Sequence, residues 1–419
     1  MGEERFNRFM GAFEEEAPVS IRLNPLKMSQ RDGSFVTSMI SQKNRPSVTW
    51  CPEGYYLEGR PQFTFDPLFH AGCYYVQEAS SMFVTHILRS LFTIHCSLFT
   101  IHSSLFTILD LCAAPGGKST AAISVLPEGS MLVSNEPIPT RAQILLENIT
   151  KWGWPNCIVT NNYPRDFRKA KAKFDIILCD VPCSGEGMFR KDPNAIGEWS
   201  LQNVEKCWRL QREIVADAWA CLNPGGILIY STCTYNIKEN EENVRWIMET
   251  FDAEPITIPT DPSWGITGSL LPGFDAPVYR FIPGFTRGEG LFMAVLQHRG
   301  TVPCVSKERQ RLNYTGTVPS VLKRLTADLP EGDHPRIDLS YHDALNYLRG
   351  EALVLPTDTP KGIITVTYKG VPLGPVKNIG NRANNLYPKP WRIKTTHLPS
   401  EPVDILEQIV KLSNSQIVK

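Results

Sequence analysis

Short apolar runs alternate with helical patterns between residues 76 and 300. The runs that resemble strands end at polar or small residues, and they are ILDLCAA, SMLVSNE, CIVTNN, FDIILCD and GGILIYST. The segments between them carry apolar residues at helical spacing, most clearly TRAQILLENITKW. Because parallel strands are joined by helical crossovers, this alternation predicts an α/β fold with a Rossmann-like, doubly wound and mostly parallel sheet.

Segments of different pattern flank this region, and 419 residues exceed one average domain. Residues 1–75 mix short polar helices with turn-rich aromatic stretches, which predicts an N-terminal lobe with RNA binding as a candidate role. Residues 301–332 lose the periodicity and are predicted to form a linker. Residues 333–419, which include the strand-like IITVTYKG, predict a small α+β C-terminal domain.

A tandem repeat occupies residues 90–108, where SLFTIHC, SLFTIHS and SLFTI follow one another. A seven-residue unit is far shorter than a solenoid repeat, so a local duplication is the better interpretation. The apolar positions fit either a helix face or a strand. We expect an exposed, poorly packed insertion without a chemical role.

Charge and cysteine content limit the classes of partner and compartment. Lys plus Arg and Asp plus Glu both number 43, so a nucleic-acid surface must be local. The 11 cysteines lack the spacing of a disulfide framework, and no signal peptide or membrane-spanning stretch is evident. These features predict a cytoplasmic protein without a membrane partner.

A local basic segment lies in the predicted C-terminal domain. Residues 361–394 contain seven Lys or Arg and no Asp or Glu, interleaved with Tyr368, Tyr387 and Trp391. Cations and stacking rings suit the phosphate backbone and bases of a nucleic acid. An ordinary solvated sheet edge can have the same composition, and this alternative stays open.

A glycine turn follows the first core strand. The residues from the strand end through the turn are Cys112, Ala113, Ala114, Pro115, Gly116, Gly117 and Lys118. The turn is neither a Walker A loop nor GxGxxG, but its small residues allow close approach of a ligand. The next strand ends at Glu136, whose carboxylate suits both ribose hydroxyls. A nucleoside-carboxylate cofactor is predicted, with a nicotinamide site or a structural turn as alternatives.

Two cysteines stand at strand ends, at the edge that carries this turn. Cys183 follows the strand that ends at Asp180, and Cys233 follows GGILIYST. Such positions favour thiolate chemistry, whereas Cys179 and Cys221 fit structural roles. Small buried hydrophobes remain the alternative, and the lack of a CxxC pair with a nearby His argues against a metal site.

If the nucleoside-carboxylate cofactor is a methyl donor, two thiols beside it suit the methylation of cytosine. Carbon 5 becomes nucleophilic only when a thiolate adds to carbon 6. After methyl transfer, the carbon 5 proton must leave and the enzyme thiol must be expelled, so a second group is useful. The pattern therefore predicts covalent catalysis with two cysteines.

Three motifs carry a specific family resemblance: LDLCAAPGGKST, FDIILCDVPCSGEGMFRKDP and STCTYNIKENEENV. Together they resemble the RNA 5-methylcytosine methyltransferases of the Nop2/Sun family. SIRLNP and FDPLFHAGCYYVQEASSM resemble that family's N-terminal motifs, and GVPLGPVKNIGNRANNLYPKPWRI resembles the C-terminal module of F-type small-subunit ribosomal RNA methyltransferases. The resemblance implies a methyltransferase core that uses S-adenosylmethionine.

The resemblance also implies roles for the catalytic candidates. Cys233 would attack carbon 6, and Cys183 would assist breakdown of the adduct. Asp180 would hydrogen-bond the cytosine edge near the sulfonium, and Lys118 would help to position the base.

The cofactor candidates follow from the same resemblance. Residues 112–118 would hold S-adenosylmethionine together with Glu136 and Asp180. Asn162 stands where the family has an Asp that contacts the adenine, so it is either an adenine ligand or only a loop residue.

The resemblance favours small-subunit ribosomal RNA over transfer RNA as the substrate. An unpaired cytosine is the cheaper target, because a paired one must first leave its stack. A transfer RNA methyltransferase and an RNA-binding ribosome-assembly factor with the same fold remain alternatives. A DNA or small-molecule methyltransferase is disfavoured by Cys233 and the basic segment.

Overall fold

Three β-sheets organise the described part of the chain. The structure is a computed structural model that describes residues 2–29, 47–98, 105–300, 319–330, 332–395 and 397–409. The largest sheet has nine strands, and the two smaller sheets have four strands each. The bounds of the strands are β1 Val19–Leu23, β2 Ser47–Val48, β3 Cys51–Leu57, β4 Tyr74–Val76, β5 Thr107–Asp110, β6 Met131–Asn135, β7 Cys157–Thr160, β8 Phe174–Asp180, β9 Leu222–Thr232, β10 Ala253–Pro255, β11 Tyr279–Phe281, β12 Leu291–His298, β13 Arg324–Leu325, β14 Arg336–Asp338, β15 Gly362–Tyr368, β16 Val371–Asn378 and β17 Ala383–Asn385.

Helices cover the faces of these sheets. The α-helices of the described residues are Glu3–Gly11, Pro25–Ser29, Pro67–His70, Phe83–Leu98, Gly117–Ile123, Pro139–Trp152, Pro164–Lys169, Pro193–Glu198, Leu201–Trp219, Glu241–Phe251 and Tyr341–Arg349. The helix predicted from TRAQILLENITKW begins at Pro139, whose fixed φ suits a first helical position, and ends at Gly153 with φ 83°. Short 3-10 turns include Glu186–Met188.

The nine-stranded sheet has the order β10-β12-β9-β8-β5-β6-β7-β13, with β11 paired to β12. Strands β5 to β9 are parallel, which confirms the predicted doubly wound sheet. Strand β12 is antiparallel to β9 and was not predicted as a separate element. Because β6 and β8 flank β5 on opposite sides, the carboxyl end of β5 is the point where the strand order reverses, which is where ligands bind in such sheets.

The N-terminal lobe contains a sheet that the sequence interpretation missed. Strands β2-β3-β1-β4 form an antiparallel sheet rather than only helices and turns. The predicted boundary at residue 75 falls inside β4. The strands are short, and the partners of β1 lie more than 30 residues away in sequence, so local periodicity gave little signal.

The N-terminal and C-terminal regions share one hydrophobic core. The C-terminal sheet has the order β14-β15-β16-β17, and its helix packs against the lobe. Tyr341 Oη donates to Phe65 O at 3.0 Å, and the Ile405 amide donates to Asp66 Oδ2 at 3.1 Å. Buried residues from both regions form this core: Ile21, Leu68, Tyr74, Leu345, Val366 and Ile405. The two regions are therefore a single packed unit beside the catalytic sheet.

Part of the predicted linker belongs to the catalytic sheet. Strand β13 pairs antiparallel with β7, and the Asn161 amide donates to Lys323 O at 3.0 Å. Residues 301–318 lie outside the described residues. The helices of the described residues include none that is long and apolar enough to cross a membrane.

The repeat is better packed than we expected where it is described. Its first copy continues the helix Phe83–Leu98, in which Leu91 is fully buried. Its third copy enters β5, and Phe106 lies 4.9 Å from Phe92 between ring centroids. Residues 99–103 of the middle copy and Ser104 of the third copy lie outside the described residues. The sequence SLFTI is thus part of a helix in the first copy, whereas in the third copy it runs into a strand. Tertiary packing therefore determines the local structure here.

Deleting residues 97–103 tests whether the duplication is dispensable. The flanking copies would still supply the helix and β5, and connection length has a small energetic effect, so methyl transfer should stay within about twofold of wild type. Activity of the purified variant, together with its thermal midpoint, is the measurement. A seven-residue deletion at 83–89, which removes the buried Phe83 and Ile87, should instead prevent folding. A folded 97–103 deletion without activity would contradict the prediction.

Candidate active site

The two strand-end cysteines are in direct contact. Cys183 follows β8 and Cys233 follows β9, and their Sγ atoms lie 3.2 Å apart. The Cys233 amide also donates to Cys183 Sγ at 3.3 Å. The structure therefore brings together the two thiols singled out in the sequence, whereas Cys179 and Cys221 are buried as predicted.

The two thiols differ in acidity. The hydrogen bond from Cys183 lowers the pKa of Cys233, and this effect outweighs burial. The same hydrogen bond, with burial, raises the pKa of Cys183 well above its ordinary value. Of the two thiols, Cys233 is therefore the one that loses its proton more readily, and Cys183 is the one that keeps it.

Glu186 joins the loops that carry the cysteines. Its Oε2 accepts from the amides of Tyr235 and Asn236 at 2.7 and 2.9 Å. The Gly187 amide donates to Cys233 O at 2.8 Å, and a Cβ on Gly187 would lie 2.8 Å from that same oxygen. Glu186 was part of a quoted motif but was not recognised as a site residue, because its role depends on contacts about 50 residues away.

Glu239 provides a second connection between these loops. It is fully buried and accepts from the Ser184 amide at 3.1 Å and from Gln211 Nε2 at 2.6 Å. The Ser184 and Thr234 hydroxyls also lie 2.9 Å apart. Because both carboxylate oxygens of Glu186 and of Glu239 accept hydrogen bonds, the loops that carry the two thiols are held in a fixed geometry.

Asp180 and Lys118 form an ion pair beside the thiols. Lys118 Nζ lies 2.9 Å from Asp180 Oδ2, and Ser231 Oγ donates to Asp180 Oδ1 at 2.6 Å. Burial alone would lower the pKa of Lys118, but the charge of Asp180 and its hydrogen bond raise it. Lys118 is therefore a cation, and its charge also favours the Cys233 thiolate.

The glycine turn lines a cavity of about 190 Å³. Gly116 has φ 114°, a conformation that favours glycine, and the Ala114–Pro115 peptide is cis. The Ala113 amide donates to Asn135 O at 2.8 Å, which fixes the turn to the end of β6. Residues from the turn and both neighbouring regions line the cavity: Tyr75, Gln77, Glu78, Asp110, Cys112, Ala113, Pro115, Gly117, Lys118 and Asp180.

Glu136 presents an unused carboxylate oxygen at the end of β6. The side chain is 1% exposed, and Oε1 accepts from the Ile138 amide at 2.9 Å. Among the described residues Oε2 has no hydrogen-bond partner, although Arg141 Nη1 lies 3.5 Å away. A buried acceptor without a donor fits a ligand hydroxyl. Ile138 and Tyr163 are exposed beside this edge, as apolar surfaces for a flat ring.

Asn162 is tied to the polypeptide through its side chain. Its Nδ2 donates to Lys323 O at 3.1 Å, and its Oδ1 accepts from the Lys323 amide at 3.0 Å. The backbone of Asn162 is bonded to Asn135 in the same way. These contacts favour the loop-anchoring alternative, because an adenine would have to compete with the Lys323 backbone.

Asp110, at the end of β5, is a site residue that the sequence interpretation missed. It is fully buried, and Oδ2 accepts from Ser119 Oγ at 2.6 Å, while Oδ1 has no hydrogen-bond partner among the described residues. Burial raises the pKa of Asp110 to about 7. Its position after an apolar strand could have indicated it, but its unused oxygen could not be foreseen.

Replacing Asp110 by Asn should change how stability depends on pH. The folded protein keeps the Asp110 proton between pH 4 and 7, whereas the unfolded chain loses it, so this carboxyl lowers stability as pH rises through that window. The neutral amide of Asn avoids this loss. As pH rises from 4 to 7, the free energy of unfolding of the variant should therefore increase relative to that of wild type by up to about 1.4 kcal/mol per pH unit. Thermal midpoints at pH 5 and pH 8 measure it, with the exposed Asp358→Asn as control. An equal difference at both pH values would contradict the prediction.

The aromatic residues of the basic segment do not form the surface that we expected. Tyr368 and Tyr387 are 5% and 2% exposed and pack in the shared core, so they cannot stack on bases. Trp391 is partly exposed, and Lys369 is paired with Asp404 at 2.6 Å. Tyr368 ends β15 and Tyr387 follows β17, and both rings point into the core while cations of the same segment stay exposed. Basic side chains remain exposed along the segment: Lys361, Lys377, Arg382, Lys389 and Lys394.

Comparison with family models gives matches along most of the chain. Residues 102–297 match "16S rRNA methyltransferase RsmB/F", residues 1–79 match the N-terminal domain of 16S rRNA methyltransferase RsmF, and residues 334–393 match the methyltransferase RsmF PUA domain. The chain belongs to the RsmB/F family of 16S rRNA methyltransferases.

Curated relatives carry the name ribosomal RNA small subunit methyltransferase F. The protein from Escherichia fergusonii is 32% identical over 325 residues, which are 75% of this chain and 64% of the relative. The chain thus spans less than two thirds of the length of that relative, and it spans 60% of the length of the relative from Citrobacter koseri. The protein from Salmonella paratyphi A is 28% identical over 92% of both chains.

Solved structures share the fold of this family member. A methyltransferase homolog protein from Pyrococcus horikoshii has a TM-score of 0.56 at 25% identity, and covers 70% of this chain and 90% of its own. NSun6 from Pyrococcus horikoshii with SFG has a TM-score of 0.55 at 22% identity, covering 72% and 96%.

Proposed function

We propose that this protein methylates carbon 5 of a cytosine in RNA, with S-adenosylmethionine as the methyl donor. The observation that carries the proposal is the contact between Cys183 and Cys233 at the edge that holds the glycine turn. One thiol has a lowered pKa and the other a raised pKa, and both lie beside an ion pair and the cavity lined by the glycine turn. This arrangement suits the reaction more closely than other methyl transfers.

Cys233 acts as the covalent nucleophile. Its thiolate forms a bond to carbon 6, and the electron pair displaced in the ring makes carbon 5 nucleophilic. The bound cofactor supplies an electrophilic methyl group to carbon 5. Loss of the carbon 5 proton to a base then restores the double bond and breaks the bond between sulfur and carbon 6. Cys183, which touches Cys233 Sγ, assists this release.

Asp180 and Lys118 orient the cytosine. Asp180 accepts from the exocyclic amine of the base, and Lys118 holds that carboxylate in place through their 2.9 Å contact. Because Ser231 also donates to Asp180, its orientation is fixed before the base arrives.

The cofactor site extends along the carboxyl ends of β5 and β6. Residues 112–118 and Asp180 surround the reacting end, and the free oxygen of Glu136 accepts from the ribose. Asn162 lies at the adenine end, where its contribution comes through the loop that it anchors. The unpartnered oxygens of Asp110 and Glu136 support the proposal that these residues hold such a ligand.

The substrate is small-subunit ribosomal RNA. This assignment comes from the names of the relatives and from the match to the RsmF PUA domain, and exposed lysines on that module suit phosphates. Residues 76–300 would carry out catalysis, while 1–75 and 333–419 would bind RNA on either side of the linker 301–332. The nine free cysteines of the described residues suit a reducing cytoplasm.

Mapping the product tests the proposal. Purified protein would be incubated with labelled S-adenosylmethionine and either small ribosomal subunits, free ribosomal RNA or transfer RNA, all lacking the modification. We expect 5-methylcytosine at one position of the ribosomal RNA. Methylation of transfer RNA alone would show that transfer RNA, rather than ribosomal RNA, is the substrate. RNA binding without methyl transfer to any RNA would favour the assembly-factor alternative.

A further inference from the structure

Gln77 is a buried polar residue at the cavity wall contributed by the N-terminal lobe. It follows β4 directly and is 6% exposed. The backbone N–H of Gln77 donates to Ser20 O at 3.1 Å, and the backbone carbonyl of Gln77 accepts from Ser20 Oγ at 2.5 Å. The backbone of Gln77 is thus fixed on both sides to β1.

The side chain of Gln77 is also oriented. Its Oε1 accepts from Arg22 Nε at 2.8 Å. Because a guanidinium only donates, the atom that faces Arg22 must be the amide oxygen, and Nε2 points away from Arg22. Arg22 is itself held by Thr120 Oγ1 at 2.6 Å and Ser124 Oγ at 2.9 Å, and it stacks on Trp152. Rotation of the Gln77 amide would break this network.

Gln77 Nε2 faces the glycine turn without a partner. Among the described residues it has no hydrogen bond although it is buried, and it lies 3.4 Å from where a Cβ on Gly117 would stand. The neighbouring Glu78 differs, because both of its carboxylate oxygens accept from backbone amides. A buried donor left unpaired is costly, so this one is expected to have a ligand as its acceptor.

The cavity offers a second unpaired atom of opposite kind. When Asp110 is ionised, its Oδ1 is a buried acceptor without a partner among the described residues, and Asp110 and Gln77 line the same cavity. An α-amino acid group has a carboxylate that accepts hydrogen bonds and an ammonium that donates them. One unused donor and one unused acceptor therefore match the two ends of such a zwitterion.

We infer that Gln77 binds the cofactor, and that its amide N–H donates a hydrogen bond to the carboxylate at the amino-acid end of S-adenosylmethionine. The inference rests on the proposed function for the identity of the cofactor. The N-terminal lobe is then part of the cofactor site as well as a candidate RNA-binding region, and Arg22 is the positioning residue that fixes the amide.

Direct binding measurements test this inference without any turnover. Gln77→Glu keeps the size of the side chain and gives Arg22 an ionic partner, but it sets a carboxylate against the carboxylate of the ligand. We expect the Kd for S-adenosylhomocysteine, measured by calorimetry without RNA, to rise by about tenfold or more. The Kd for 5′-methylthioadenosine, which lacks the amino-acid end, should stay unchanged.

Two further variants guard against a purely structural effect. Gln77→Met removes the hydrogen-bond donor without adding a charge, and it should also raise the Kd for S-adenosylhomocysteine. It therefore replaces Gln77→Glu in the test if that variant does not fold. Gln297→Glu makes the same chemical change on β12, where the side-chain Nε2 of Gln297 donates to Gly225 O at 3.1 Å, and it should leave both Kd values unchanged.

Several outcomes separate the inference from the proposed function. An unchanged Kd for S-adenosylhomocysteine in folded Gln77 variants would overturn the inference, and so would equal weakening of both ligands. If wild type binds S-adenosylhomocysteine but methylates no RNA, the proposed function fails while the role of Gln77 is still decided by the same measurements.

Discussion

Cys233→Ala should lose methyl transfer by at least about a thousandfold, because the remaining thiol at the site, Cys183, has a raised pKa and is a poor nucleophile. The loss should appear in kcat, while the Kd for S-adenosylmethionine stays close to wild type. The structure gives the reason for choosing this thiol. Cys183 lowers the pKa of Cys233 through their hydrogen bond, whereas the pKa of Cys183 is raised.

Two controls make that result specific. Cys207→Ala removes a partly buried thiol from the helix Leu201–Trp219, and it should retain full activity. Cys183→Ala should slow product release more than formation of the covalent bond. Retention of more than about a tenth of the wild-type rate in Cys233→Ala would show that another residue is the nucleophile.

Arg280→Met should destabilise the fold by about 3–5 kcal/mol, since it leaves the carboxylate of Glu241 buried and unpaired. The two side chains are 1% and 0% exposed, and Arg280 Nε donates to Glu241 Oε1 at 2.6 Å. Arg280 Nη1 also donates to Tyr235 O at 2.8 Å, which supports the loop after Cys233. Activity should therefore fall along with the free energy of unfolding, measured in urea.

A paired substitution separates the buried charge from other effects of the mutation. Arg280→Met combined with Glu241→Leu should recover most of the lost stability, because neither charge is then left alone. Arg299→Met breaks exposed ion pairs with Asp252 and Glu254 and should cost less than about 1 kcal/mol. If the double variant is as unstable as Arg280→Met, the explanation by an unpaired Glu241 is wrong.

The sequence predicted the parts of this protein that depend on local pattern. The five parallel strands and the strand-end positions of Cys183, Cys233 and Glu136 followed from apolar runs and the residues after them. Since the carboxyl ends of parallel strands meet at one edge, the pairing of the two cysteines could be expected before any distance was known.

The features that were missed depend on contacts between distant segments. The N-terminal sheet and the core shared with the C-terminal region join residues more than 300 positions apart, as Asp66 and Ile405 show. Tyr368 and Tyr387 were predicted to lie on the surface because composition does not reveal which side chains of a strand, or of the turn after it, are buried. Gln77 lies in a motif that resembles the family, but its role could not be assigned from sequence, because that role depends on Arg22 and on a cavity formed with another region.

Trapping the adduct tests the central claim of covalent catalysis most directly. Cys183→Ala would be incubated with substrate RNA and S-adenosylmethionine, then resolved on a denaturing gel beside the Cys183→Ala, Cys233→Ala double variant. Our account predicts a protein–RNA complex for the single variant only, with the nucleotide mapped by mass spectrometry to Cys233. A complex that persists in the double variant, or methylated RNA from the double variant, would contradict it.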